Sequence, residues 1–165
     1  MPSRTVIVPL KRSHKAACDA IVAASEPWKK LGETIDFSTL LSARKAAVRA
    51  SVCLAAGTVA GFVIFTPLPV FARGGYLRAI GVAPDLRRQN VGRKLLSFAE
   101  RETARYTGHL YLCVSSFNRQ AQAFYRECGY RKVGAVPGLI KPGISEYIYW
   151  KRLRPRSSRP KRTRI

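Results

Sequence analysis

The sequence predicts a mixed α/β fold in a single domain. Three observations carry this. The chain has 165 residues and a mass of 18.3 kDa, which suits one domain with a full hydrophobic core. Apolar residues make up 47% and charged residues 24%, ordinary values for a globular chain. Short β-branched runs alternate with stretches of helical period, and no internal repeat interrupts them. The expected element order is β-α-α-β-β-β-α-β-α-β-β.

Thr5 to Pro9 reads as a short first strand. Ser13 is the candidate N-cap of a helix over His14 to Ser25, with Ala, Ile and Val on one side. Glu26-Pro27-Trp28-Lys29-Lys30-Leu31-Gly32 interrupts it, and Phe37 to Ala50 reads as a second helical stretch. Ser51 to Phe71 holds twenty-one residues without a charge, long enough to span a bilayer. Gly57-Thr58 divides it, however, and Pro67 and Pro69 are expected to end its second half. Two buried strands, Ser51 to Ala56 and Val59 to Phe65, therefore replace the membrane reading.

Gly75 to Val82 is the next strand, ending at Pro84. Val91 to Tyr106 is amphipathic, with Leu95, Leu96 and Ala99 inward and Lys94 and Arg101 outward. His109 to Val114 is a strand, and Asn118 to Cys128 is a helix closed by Gly129. Tyr130 to Val133 and Ser145 to Trp150 are the last strands. Lys151 to Ile165 carries eight basic residues, two prolines and no acid. The expectation is a domain over residues 1–152 and a basic, disordered tail over 153–165.

Met1 to His14 has no long apolar run and no small-residue cleavage site, so no secretory signal is expected. Cys18, Cys53, Cys113 and Cys128 form no Cys-x-x-Cys pair and share no helix-spaced motif with His14 or His109. Reduced thiols, a cytoplasmic location and no metal site are the expectation. The charge is the unusual feature. Thirty Lys and Arg face nine Asp and Glu, for a net +21. Such a chain will not hold a polycation by charge and favours phosphate-rich or other anionic partners. Any carboxylate base must come from Asp19, Glu26, Glu33, Asp36, Asp85, Glu100, Glu102, Glu127 or Glu146.

The most informative stretch is Ile80-Gly81-Val82-Ala83-Pro84-Asp85-Leu86-Arg87-Arg88-Gln89-Asn90-Val91-Gly92-Arg93-Lys94. A buried strand stops, a short basic turn follows, and a helix begins near Val91. Backbone N–H groups and the positive end of a helix dipole then point at one spot. Gly92 lets a phosphate approach the backbone, and Asn90 tolerates a left-handed conformation. The pattern fits a pyrophosphate cradle; it also fits an ordinary strand-turn-helix with a solvated basic face.

Arg87-Arg88-Gln89-Asn90-Val91-Gly92 resembles the Arg/Gln-x-x-Gly-x-Gly/Ala signature of the GNAT superfamily of acetyl-CoA-dependent N-acyltransferases, with Asn90 where the family usually has Gly. Asn118-Arg119-Gln120-Ala121-Gln122-Ala123-Phe124-Tyr125, followed by Gly129-Tyr130, is similar to its second element. The resemblance implies the GNAT fold, a mixed central sheet with flanking helices. It also implies an N-acetyltransferase that moves an acetyl group from acetyl-CoA to a primary amine by direct attack in a ternary complex.

By the same resemblance Ile80, Gly81 and Val82 form the pantetheine-binding strand, and Arg87, Arg88, Gln89, Asn90, Val91, Gly92 and Arg93 hold the pyrophosphate. Asn118 contacts the pantetheine arm; its position equally suits a helix N-cap. Tyr125 is the general acid that protonates the CoA thiolate, a phenol of pKa ~10 being able to supply that proton. The family's usual strand carboxylate is missing. Glu26, Glu33 and Asp36, between the first two helices, and Glu146, at the start of the last strand, border the acceptor region; Glu33 and Glu146 are the base candidates among them, with a water relay as the alternative. Cys113 stands where some relatives have Glu; a buried thiol is the plain reading of it. Trp28 is expected in the acceptor wall, either on the substrate or as a loop anchor. A peptide N-terminus, a lysine and a small amine fit alike as acceptor. The family's frequent dimers leave a homodimer open. A second function stays open too: a nucleic-acid- or ribosome-associated binding module with little catalysis, motivated by the basic tail.

Overall fold

β1 (Thr5–Pro9) leads through a 3₁₀ turn (Arg12–His14) into α1 (Lys15–Ala23), α2 (Trp28–Leu31) and α3 (Phe37–Ser42). β2 (Arg49–Ala55), β3 (Thr58–Phe71) and β4 (Gly74–Val82) follow. A second 3₁₀ turn (Pro84–Leu86) precedes α4 (Val91–Thr103), and β5 (His109–Ser115), α5 (Arg119–Glu127), β6 (Arg131–Pro137) and β7 (Ser145–Arg152) are the remaining elements among the described residues. The computed structural model describes residues 4–42 and 47–154. Most of the tail expected at 153–165 lies outside the described residues, but Leu153 is buried and its N–H donates to the Gly108 carbonyl at 2.7 Å.

Three local expectations are corrected. Ser13 lies inside the 3₁₀ turn and caps nothing; the Lys11 N–H instead donates to His14 Nδ1 at 3.1 Å. The helix expected over Phe37 to Ala50 stops at Ser42 among the described residues, and Arg49 and Ala50 already belong to β2. Asp36 starts the short α3: its carboxylate accepts the Ser38 and Thr39 N–H groups and the Thr39 hydroxyl, which holds its pKa below the usual value. Pro67 and Pro69 do not end β3, which runs to Phe71. They lie past Phe65, the last residue paired with β2, where the ladder to β4 is irregular between Thr66 and Phe71. Proline is tolerated at such an edge because no ladder N–H is needed there.

All seven strands form one sheet in the order β1-β2-β3-β4-β5-β7-β6. Every neighbouring pair is antiparallel except β4 and β5. Those two run parallel only from Gly75↔Leu110 to Leu77↔Leu112, and then part. On β4 the pairing with β3 slips at the same point: Phe65 faces Leu77, Ile64 faces Ala79, and Arg78 is the extra residue. A bulge bends its strand and ends pairing, so the fork in the sheet begins where β4 bulges.

Two apolar clusters flank the sheet. On one face α1, α2 and α3 set Cys18, Ile21, Val22, Trp28 and Phe37 against Val52, Phe62, Ile64 and Ala79. On the other, α4 buries Val91, Leu95, Leu96, Ala99 and Thr103, one stripe at helical spacing, against Val63, Phe65, Leu77, Leu110 and Leu112. Gly81 serves the packing under α1, since a Cβ there would strike the Phe62 ring and come within 2.9 Å of Ile21 Cγ2. Glu100 and Glu102 clamp α4 to the sheet. Glu100 accepts from Lys151 Nζ at 2.9 Å and the Tyr130 hydroxyl at 3.0 Å, and Glu102 pairs with Arg49 at 2.6 Å.

Candidate active site

The fork between β4 and β5 opens into a cleft of ≈ 720 Å³. One wall is the end of β4. The Ala83 N–H donates to the Ala60 carbonyl of β3. Main-chain groups alternate along a strand, so those of Ile80 and Val82 point away from β3 and into the fork. Both residues line the cleft.

The floor is the start of α4. Asn90 is its N-cap in the left-handed region, φ +61°, as the substitution of Asn for Gly requires. Arg88 is also left-handed, φ +62°, which no sequence signal announces in a bulky residue. The first N–H of α4 with a main-chain acceptor is that of Lys94, on the Asn90 carbonyl at 3.0 Å. The N–H groups of Val91, Gly92 and Arg93 are the orphan donors of the first turn, with the helix dipole behind them. A Cβ on Gly92 would sit 3.5 Å from Phe124 Cζ and 3.7 Å from Val82 Cγ2, ordinary contact with two side chains that line the cleft. The space above this glycine is therefore cleft. The cradle fits an anion such as a pyrophosphate.

The basic residues of the loop do different things. Arg87 folds back over the end of β4, donating to the Ser25 hydroxyl at 2.8 Å and the Val82 carbonyl at 3.4 Å. Ser25 is buried at the end of α1, sixty-two residues away in sequence, and sequence reasoning missed it. Arg93 is paired with Glu127 at 2.9 Å. Arg87, Arg88, Asn90, Val91, Gly92 and Arg93 all line the cleft; Gln89 does not, its amide turning to the Asp85 carbonyl at 3.5 Å.

The far wall is α5. Asn118 caps it, its Oδ1 accepting the Ala121 N–H at 3.1 Å, and also borders the cleft. Gln122, another residue missed from sequence, is buried and donates to the Ser115 and Ser116 carbonyls, fixing the turn that carries Asn118. Phe124 and Tyr125 both line the cleft. The buried Tyr125 ring packs edge-on against Phe124 and Tyr130. Its hydroxyl has no hydrogen-bond partner among the described residues but is not sealed off. Burial raises its pKa, and the Cys128 thiol adds to this. The phenol is held as the neutral acid at every ordinary pH.

Trp28 joins the cleft to the core. Its ring lies 5.9 Å from that of Phe62 inside the cluster under α1, while it also lines the cleft opposite α5. Lys30, on α2, sits over the Phe117 ring at 4.3 Å, so α2 reaches across to the β5–α5 turn.

Glu33 and Glu146 do not line the cleft itself. Glu146 opens β7 directly opposite Ser115, at the mouth of the fork. It is 3% exposed and accepts from the Ser115 hydroxyl at 2.5 Å. Burial raises its pKa, the Ser115 hydrogen bond opposes this, and the carboxylate of exposed Glu33 raises it further. The two carboxylates assigned to the acceptor region thus act on one another. Burial also raises the thiol of Cys113, beside Tyr76, and leaves little thiolate at neutral pH. Among the described residues no three His, Cys, Asp or Glu side chains gather as a metal site, and no helix is long and apolar enough to cross a membrane.

The family model described as the acetyltransferase (GNAT) family matches residues 15–130, and the chain belongs to this family. No curated protein matches the sequence significantly. Among solved structures, the ribosomal-protein-S18-alanine N-acetyltransferase of Escherichia coli superposes with a TM-score of 0.74 at 21% identity, over 94% of this chain and 98% of that one. The ribosomal-protein-alanine N-acetyltransferase of Brucella melitensis gives 0.71 at 20%, over 90% and 99%. YncA of Salmonella typhimurium, solved with its cofactor acetyl-CoA, gives 0.70 at 19%, over 93% and 96%. At these identities the likeness is one of fold.

Proposed function

We propose that this chain is an N-acetyltransferase that moves an acetyl group from acetyl-CoA to a primary amine. The observation that carries the proposal is the fork itself: unpaired strand groups, an orphan helix start and a phenol converge on one cleft. Bound acetyl-CoA supplies a thioester whose carbonyl carbon the amine attacks. The main-chain groups of Ile80 and Val82 bind the pantetheine arm as an added strand would. The N–H groups of Val91, Gly92 and Arg93 bind the pyrophosphate, with Arg88 adding charge. Tyr125 holds a proton at its Oη for the departing sulfur. Glu146, whose pKa burial raises, takes the proton of the incoming ammonium through water, and Glu33 draws the cation in. The raised Cys113 thiol favours direct attack over an acyl-thiol route.

Two of the superposed structures are named as alanine N-acetyltransferases, which makes a peptide beginning with alanine the first acceptor to try. The test is CoA release, with mass detection of the acetylated product, from acetyl-CoA and a panel of peptides, lysine and small amines. Release that depends on both the amine and Tyr125 supports the reading. Absence of acetyl-CoA binding at millimolar concentration overturns it.

A further inference from the structure

On the flank of α4 away from the cleft, between that helix and the edge strand β1, runs an open groove of ≈ 840 Å³. Arg4, Arg93, Lys94 and Arg101 line it, and no carboxylate does. Arg93 is held by Glu127 on the cleft side; Arg4, Lys94 and Arg101 enter no ion pair among the described residues. Lys94 reaches across the groove to the Thr5 hydroxyl at 2.7 Å, so both walls are cationic. In a chain of net charge +21 this concentrates one sign of field along a concave surface. Of its lining, the acetyl-transfer reading uses only the main-chain N–H of Arg93.

We propose that this groove binds the sugar-phosphate backbone of a nucleic-acid strand. Lys94 and Arg101 stand two turns apart on α4, about 10 Å along the axis, so a strand laid along the groove meets both. Guanidinium forks at Arg4 and Arg101 suit phosphate oxygens. An acidic protein partner fits less well. Stable protein interfaces are anchored by buried apolar side chains; of those lining the groove, Ile7 and Phe98 are half-buried against the core, and Val6 alone is largely exposed, at 53%. A phosphate backbone needs charge and no such anchor.

The experiment uses the full chain and a fluorescein-labelled 20-nucleotide RNA of mixed sequence, read by anisotropy between 50 and 300 mM KCl. Arg4→Glu with Arg101→Glu is the test variant; both residues are exposed, and neither contributes to the cleft. The variant is expected to bind RNA at least tenfold more weakly. Its slope of log K against log salt should fall by about 1.4, two contacts at about 0.7 each for a single strand. Acetyl-CoA affinity should not change. Ser97→Glu, in the middle of the groove, should act in the same direction. Wild-type RNA affinity in the double variant overturns the proposal. So does a polyglutamate 20-mer binding as tightly as the RNA. Loss of all RNA binding when Arg156, Arg159, Lys161, Arg162 and Arg164 are replaced by Gln also overturns it, since the tail alone would then be the site.

Discussion

Gly92→Ala separates what the fold needs from what the cleft needs. The added methyl would meet Phe124 at 3.5 and 3.6 Å and Val82 at 3.7 Å, ordinary contact distances that require no shift. The residue lies in the first turn of α4, where alanine is a better helix former than glycine by up to about 1 kcal/mol. The substituted protein should therefore be as stable as the parent or slightly more so, with Tm rising by up to about 4 °C. The same methyl would stand between Phe124 and Val82, two side chains of the cleft to which the pyrophosphate is assigned. Forcing a methyl group into a filled site costs about 1–3 kcal/mol, which weakens acetyl-CoA binding by about 5- to 150-fold. Calorimetric titration with acetyl-CoA beside a thermal melt reads both quantities. Unchanged affinity together with a raised Tm would refute the cradle. A fall in both would mean that Gly92 serves packing alone.

The other predictions concern chemistry and anchoring. Tyr125→Phe removes a hydroxyl without a protein partner, so Tm and acetyl-CoA affinity should hold while kcat falls by about 100-fold or more, checked by thiol release under saturating acetyl-CoA. Glu146→Gln should abolish the rise of kcat/KM with pH that the raised Glu146 pKa imposes. It should also stabilise the fold at neutral pH. Burial penalises the ionised carboxylate, so the native state loses stability as pH rises through the raised pKa, and Gln removes that loss. The gain should vanish below about pH 4, where the glutamate is neutral in both states; melts at pH 4 and pH 8 distinguish these outcomes. Trp28→Ala should destabilise by about 3–5 kcal/mol, with a Tm drop on the order of 10 °C, because its ring is packed on Phe62. A small change would instead assign Trp28 to the acceptor alone.

What could be read from the sequence was local. Asn90 advertised its left-handed conformation because few other side chains tolerate it, and Asn118 and Gly129 marked both ends of α5. The fork could not be read in the same way. It depends on which residue of β4 is extra against β3, and Arg78 in a run of strand formers gives no sign of being a bulge. Pro67 and Pro69 misled because proline stops a central strand but not an edge, and edge position is a property of the whole sheet. The clamping role of Glu100 and Glu102 was hidden for a related reason: their partners Lys151 and Arg49 lie about fifty residues away. Glu146 was picked by elimination, but its pairing with Ser115 needed the β5–β7 register.

The central claim is that the fork holds acetyl-CoA with its thioester beside Tyr125, ready for an amine. The most direct measurement is single-turnover CoA release, with the product identified by mass, for the parent and Tyr125→Phe at saturating acetyl-CoA. The account predicts one acetylated amine per CoA released by the parent, and at least 100-fold slower release by the variant at unchanged acetyl-CoA affinity. Equal rates in the two proteins, or CoA release that needs no amine, would contradict it.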